Sequence, residues 1–230
     1  MEADILSGLS HRNIIRFLGA CTESMNPMIV MEFAHNGTLF SLLKDPNFEI
    51  GPKLVLDWIK QIASGMKYLH EEAPVQVIHR DLKSPNVLVS KSYEMKISDF
   101  GLSRELDGKT HKTTAGTFAV RYSVFFCFFH PVSDLFSPLF TKWMAPELIR
   151  NERHDEKVDV WSFGIVVWEL VTRQVPFDGM EPFAIAFKIA TGMRVCLRAI
   201  YYLDFYLVAF LYCVLFVTSL PWILRECRSI

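Results

Sequence analysis

Two short stretches carry residue types at spacings that suit one reaction. The first is His79-Arg80-Asp81-Leu82-Lys83-Ser84-Pro85-Asn86, and the second, a little further on, is Asp99-Phe100-Gly101. An acid, a lysine two residues on, an amide beyond it and a second acid before glycine are the parts needed to move a phosphoryl group from a magnesium-bound nucleotide. Asp81 is suited to accept or orient the proton of an attacking hydroxyl. Lys83 is placed to neutralise charge on the phosphoryl group in flight. Asn86 and Asp99 offer the hard oxygen donors that magnesium prefers. No other part of the chain competes with these stretches as a chemical site.

The flanks add Gly116-Thr117-Phe118-Ala119, Trp143-Met144-Ala145-Pro146-Glu147 and Asp159-Val160-Trp161-Ser162-Phe163-Gly164. A lone tripeptide recurs by chance, but these segments stand in one order, and together the chain resembles a eukaryotic protein kinase. The resemblance implies an α+β, two-lobed fold. Residues 1–34 would be the remnant of a truncated small lobe and the hinge, and 35–194 a mainly helical large lobe with an incomplete C-terminal part. It also implies ATP and Mg2+ as cofactors, with Asp81 and Lys83 catalytic and Asn86 and Asp99 holding the metal.

The elements that position these residues are legible as patterns. Ile5, Leu6 and Leu9 share a helical face, and by resemblance Glu2 on that helix is the glutamate that pairs with an ATP-positioning lysine. Ile14 to Leu18 and Met28 to Met31 read as a strand pair. The resemblance makes Met31 the gatekeeper and lets the backbone from Glu32 to Ala34 meet the adenine edge. Leu39, Leu42 and Leu43 open a short helix after the Asn36-Gly37 turn. Leu54, Trp58, Ile59, Ile62, Met66 and Leu69 form the stripe of a packed helix. Val87 to Val89 and Met95 to Ile97 read as a hairpin that brings Asn86 and Asp99 together. Leu88 on that hairpin would lie beneath the adenine. Residues 158–171 are apolar all round, as in a buried helix, and Asp159 would tether the catalytic loop from below. Leu6, Phe17, His79 and Phe100 match the family's stacked internal column.

Lys83 after the catalytic acid is the serine/threonine pattern, whereas Trp143 to Glu147 looks like a tyrosine kinase. That mixture resembles the mixed-lineage group of MAP kinase kinase kinases, and it implies a protein substrate, a downstream MAP kinase kinase. In the loop from Asp99 to Glu147, phosphate on Ser103, Thr110, Thr113 or Thr114 could pair with Arg80 and order the segment. Thr113 and Thr114 are favoured.

Charge and cysteine content limit the alternatives. A net charge of −1 provides no field to recruit nucleic acid. Five cysteines with no Cys-x-x-Cys spacing argue for a reducing, cytoplasmic compartment and against zinc or a disulfide framework.

Three departures from the family pattern stand out. No Gly-x-Gly-x-x-Gly occurs among the 230 residues, and Glu2 has no partner lysine, so the chain as written is expected to transfer phosphate negligibly. Val120 to Lys142 is an insertion where family members run almost directly from Ala119 to Trp143. It is rich in phenylalanine, and because valine codons begin GT and one lysine codon ends AG, it fits a translated intron better than a docking patch. Residues 195–230 form a hydrophobic tail outside the family match. Its stretch 205–224 has no charge and about the length to span a bilayer, with arginines on both sides. The alternatives to an enzyme are therefore a pseudokinase-like binding module or an aberrantly spliced fragment, membrane-anchored through 205–224.

Overall fold

Pro52 fixes the first turn of α3 (Pro52–Lys67), where its missing N–H is one that a helix start leaves unpaired anyway. The expected stripe then turns Val55, Trp58, Ile59, Ile62 and Met66 inward, and Trp58 is fully buried with its indole N–H donating to the Tyr93 carbonyl at 2.8 Å. Gly65 is required by a close approach. A Cβ there would stand 2.7 Å from Ile97 Cδ1 and 3.0 Å from the Asn13 carbonyl oxygen. The stripe does not end with the α-helix. Its last turn widens into a π-helical turn, Tyr68–Glu72, which keeps Tyr68 and Leu69 buried.

The computed structural model describes residues 2–21, 28–105 and 141–192, all within one compact unit, Met1–Val195. A second unit, Cys196–Ile230, lies outside the described residues, as does the uncharged stretch 205–224. Among the described residues no helix is long and apolar enough to cross a membrane.

The chain opens with α1 (Glu2–Ser7), in which Leu6 is buried. Among the described residues three two-stranded sheets follow, each antiparallel: β1 (Phe17–Cys21) with β2 (Met28–Met31), β3 (Val77–Ile78) with β6 (Arg104–Glu105), and β4 (Val87–Val89) with β5 (Met95–Ile97). The first pair corrects the sequence expectation, because the strand starts at Phe17 and not at Ile14. Ile14 and Ile15 are claimed by another partner: the Ile15 amide donates to the Ile97 carbonyl at 2.8 Å, and the Ile97 amide to the Asn13 carbonyl at 2.9 Å. Both isoleucines are buried there beside the hairpin, so the pairing of Met28–Met31 moves downstream.

Thr38 caps α2 (Leu39–Lys44) by accepting from the Ser41 amide. The large helix α5 (Lys157–Thr172) is buried along most of its circumference, with Val158, Val166 and Leu170 in the core. Arg173 ends it in the left-handed conformation, φ 55°, and its guanidinium donates to the carbonyls of Leu43 and Asp45 behind α2. The short α4 (Pro146–Ile149) and α6 (Pro182–Ala190) complete the described part.

Candidate active site

The β4 to β5 hairpin fixes the metal-binding candidates at one end. Asn86 immediately precedes β4 and Ser98 follows β5; the Ser98 amide and hydroxyl both donate to the Asn86 carbonyl, at 2.9 and 2.8 Å. Asp99 therefore leaves the hairpin beside Asn86, and the positive field at Asp81 is partly offset by the Asp99 charge. Asp99 is exposed and holds φ 67°.

Asp81 is the centre of the loop. Its Oδ2 accepts from Lys83 Nζ at 2.7 Å and from Asn86 Nδ2 at 2.9 Å, and the same Asn86 amide donates to the Asp81 carbonyl at 2.9 Å. Burial pushes the Asp81 carboxyl above the ordinary aspartate range, opposed by the Lys83 ammonium beside it. The Asn86 amide nitrogen is committed to Asp81, so its oxygen is the atom presented for a cation.

The loop's shape is imposed from below. Asp159 Oδ2 accepts from the His79 amide at 2.8 Å and Oδ1 from the Arg80 amide at 2.7 Å, while His70 Nε2 lies 2.8 Å from Oδ2. Arg80 itself holds φ 64°, a left-handed geometry that a non-glycine residue keeps only where neighbours over-determine it. His79 is fully buried. The Asp81 amide donates to His79 Nδ1 at 3.3 Å, which assigns the proton to Nε2, and Nε2 then donates to the Ser98 carbonyl at 3.1 Å. The Phe100 ring packs on His79 with centroids 5.0 Å apart. Thus the expected tether by Asp159 and the His79 to Phe100 contact are both present.

The nucleotide-side candidates are held by the hinge. Met31 pairs with Phe17 at the end of the first ribbon. The Glu32 amide donates to the Arg16 carbonyl at 2.9 Å, and its carboxylate accepts from the Arg16 amide and from Lys96 Nζ, each at 2.9 Å. The side chain of Glu32 is therefore a strut between the hinge and β5. Past Ala34, the chain turns at Gly37, φ 69°, and pairs with β4: the Asn36 amide donates to the Val89 carbonyl and the Val89 amide to that of Gly37. That pairing sets half-buried Leu88 alongside the hinge. Glu2 begins α1, but its side chain lies outside the described part of the structure, as do Thr110, Thr113 and Thr114. Ser103 is described, and it is buried with its hydroxyl on the His79 carbonyl at 3.3 Å. Arg80 donates its Nε to the Leu102 carbonyl at 2.7 Å.

Sequence reasoning overlooked Glu169. It is buried on α5, its Oε1 accepting from the Ser84 hydroxyl and its Oε2 from the Trp143 indole N–H, each at 2.7 Å. A signal was present: Asp159, Ser162 and Glu169 fall on one face of a helix that is otherwise apolar all round.

The family model of the protein kinase domain matches residues 1–206. Over 194 residues the chain is 44% identical to mitogen-activated protein kinase kinase kinase 13 of Mus musculus, covering 83% of this chain and 17% of that protein. It is 42% identical over 194 residues to mitogen-activated protein kinase kinase kinase 12 of Rattus norvegicus, with 83% of this chain and 19% of the relative covered. Identity to mitogen-activated protein kinase kinase kinase 10 of Mus musculus is 38% over 197 residues, 82% of this chain and 18% of the relative. The chain thus spans less than a fifth of the length of these curated relatives.

Proposed function

Because this chain belongs to the protein kinase family, with relatives among the mixed-lineage MAP kinase kinase kinases, we propose that its loop transfers the γ-phosphoryl group of ATP to a protein serine or threonine. The acceptor proposed is a downstream kinase of a MAP kinase cascade. The observation that carries this reading is the single carboxylate of Asp81 held by both Lys83 Nζ and Asn86 Nδ2.

Asp81 takes the role of the base that orients the acceptor hydroxyl, since its Oδ2 is pinned and its pKa stands above the usual range. Lys83, bonded to the same carboxylate, takes the role of offsetting the charge that builds on the transferred group. The donor set fits Mg2+: an amide oxygen from Asn86 and an exposed carboxylate from Asp99 are hard ligands. Held by Asn86 and Asp99, such an ion would supply positive charge to offset that of the phosphates. The backbone from Glu32 to Ala34, with Met31 and Leu88, is assigned to the adenine, and Glu2 to the ion pair that positions the phosphates.

Two further parts belong to this reading. Residues 1–194 form a partial kinase domain with 120–142 inserted and 195–230 appended. The 230 residues contain no glycine-rich phosphate loop, so transfer by this chain alone is expected to be negligible. The test is binding of ATP with and without Mg2+, followed by labelled phosphate transfer to a protein acceptor. Binding strengthened by Mg2+ and weakened in Asp99→Ala is expected. Equal binding with and without Mg2+, unchanged in Asp99→Ala, overturns the assignment.

A further inference from the structure

A cavity of about 420 Å3 opens where the loop after α1 meets the hinge and β5, and neither Asp81, Lys83, Asn86 nor Asp99 lines it. Its charged walls are Arg12 and Arg16 from that loop, Lys96 from β5 and Glu32 from the hinge. Three cations thus face one carboxylate. The apolar part of the lining is Leu9, Ile14 and Ile15, each no more than 9% exposed. Such a lining lowers the local dielectric and strengthens any charge pairing made against it.

The partners already in place leave donors unused. Arg12 gives one nitrogen, Nη2, to Glu94 Oε1 at 2.8 Å, whereas a guanidinium carries five N–H groups. Lys96 Nζ pairs with Glu32 Oε1 at 2.9 Å, and the same oxygen accepts from the Arg16 amide. Pairing Arg12 with Glu94 and Lys96 with Glu32 leaves Arg16 as the uncompensated charge. Arg16 is exposed, and its guanidinium forms no ion pair among the described residues. His11, also in the lining, adds no charge: burial lowers its pKa, its Nδ1 accepts from the Asn13 amide at 3.1 Å, and its ring stacks on Tyr68.

We propose that this cavity binds a protein-borne phosphate monoester, the phosphorylated serine or threonine of a partner peptide. Its volume stands at the low end of the roughly 300–1,000 Å3 of ligand sites, which suits one side chain better than a larger ligand. The donor set decides between anions. A carboxylate brings one charge and two oxygens, but a phosphate monoester brings close to two charges and three oxygens, enough to serve Arg12, Arg16 and Lys96 together. Guanidinium groups match phosphate oxygens in pairs, which favours the two arginines as the main contacts.

The test follows the side-chain Nε–H signals of Arg12 and Arg16 by NMR of the full chain. Three probes are added in turn: inorganic phosphate, acetyl-Ala-phosphoserine-Ala-amide, and the same peptide with unmodified serine. The phosphopeptide is expected to shift both signals to saturation with a Kd below about 1 mM, more tightly than inorganic phosphate does, and the unmodified peptide to leave them unmoved. Arg16→Ala should weaken the phosphopeptide about tenfold or more, read on the Arg12 signal, as loss of a charge-assisted contact requires. Arg16→Lys should recover part of that loss, and Lys157→Ala, a charge removed from the far-off start of α5, should bind as the parent does. Shifts that never saturate overturn the site, as do equal shifts from the unmodified peptide or unchanged affinity in Arg16→Ala. Inorganic phosphate binding as tightly as the phosphopeptide would overturn the protein source. Failure of Mg2+-dependent nucleotide binding would refute the kinase reading and leave these shifts untouched.

Discussion

Asp159 accepts the Arg80 amide at 2.7 Å across 79 positions of sequence, and this bond holds Arg80 at φ 64°. A left-handed non-glycine residue stores roughly 1–3 kcal/mol, so it persists only while that bond and its neighbours hold it. The same carboxylate serves the His79 amide and His70.

Asp159→Ala removes the acceptor for all three groups at once. Each buried donor left without a partner costs on the order of 1–3 kcal/mol, and loss of part of the Arg80 strain returns little of it. The expected outcome is destabilisation of about 3–5 kcal/mol, read as a lower denaturant midpoint at unchanged slope. A loss below about 1 kcal/mol would mean that the loop holds its shape without the tether.

Gly65→Ala sets two effects against each other. Alanine is the better helix former by about 1 kcal/mol, yet its Cβ would meet Ile97 Cδ1 at 2.7 Å and the Asn13 carbonyl at 3.0 Å. Overpacking of this kind costs typically about 1–3 kcal/mol, so net destabilisation is expected. Ile97→Val deletes Cδ1, and combined with Gly65→Ala it should recover part of the loss. Strict additivity in that double-mutant cycle would show the clash to be absent.

Glu169 makes stability fall as pH rises. Its carboxyl stands at about 7 in the folded chain against an ordinary 4.5, so the folded state binds the extra proton between those values. The contribution is full below about 4.5 and is lost as pH climbs through about 7, on the order of 3 kcal/mol in all. In Glu169→Gln this part of the slope should vanish from a series of denaturant melts. An unaltered pH profile would show that the carboxyl is not held up by burial.

The sequence made the catalytic loop, the β4 to β5 hairpin and both long helices legible because each rests on local signals. Asp81, Lys83 and Asn86 lie within one short loop and meet in space at 2.7 and 2.9 Å, and the apolar periods of α3 and α5 match what they bury. Misread positions are those decided at long range. Ile14 and Ile15 carry ordinary strand residues, yet Ile97 takes them out of the expected pairing. Glu169 joins Ser84 and Trp143 across 85 and 26 positions. Its polarity within an apolar helix was visible, but no local rule names its partners.

Lys83→Ala tests whether the pair at the centre of the site is electrostatic. The Asp81 carboxyl is raised by burial, and the Lys83 ammonium at 2.7 Å acts in the opposite direction. Removing the ammonium leaves burial and the Asp99 charge, both of which favour the protonated form. The Asp81 midpoint should therefore move further up, visible as a shifted titration of its labelled carboxyl carbon. The sign for chemistry follows: a base that must be ionised loses activity on the acid side, so any transfer measured should fall off at higher pH than in the parent chain. Stability should respond in the opposite sense, because a carboxyl raised further in the folded state makes the chain lose more stability as pH climbs through its folded value. Lys83→Arg keeps the charge and is expected to leave the Asp81 midpoint near its parent value. If Lys83→Ala and Lys83→Arg shift that midpoint alike, the lysine is acting through packing and not through its charge.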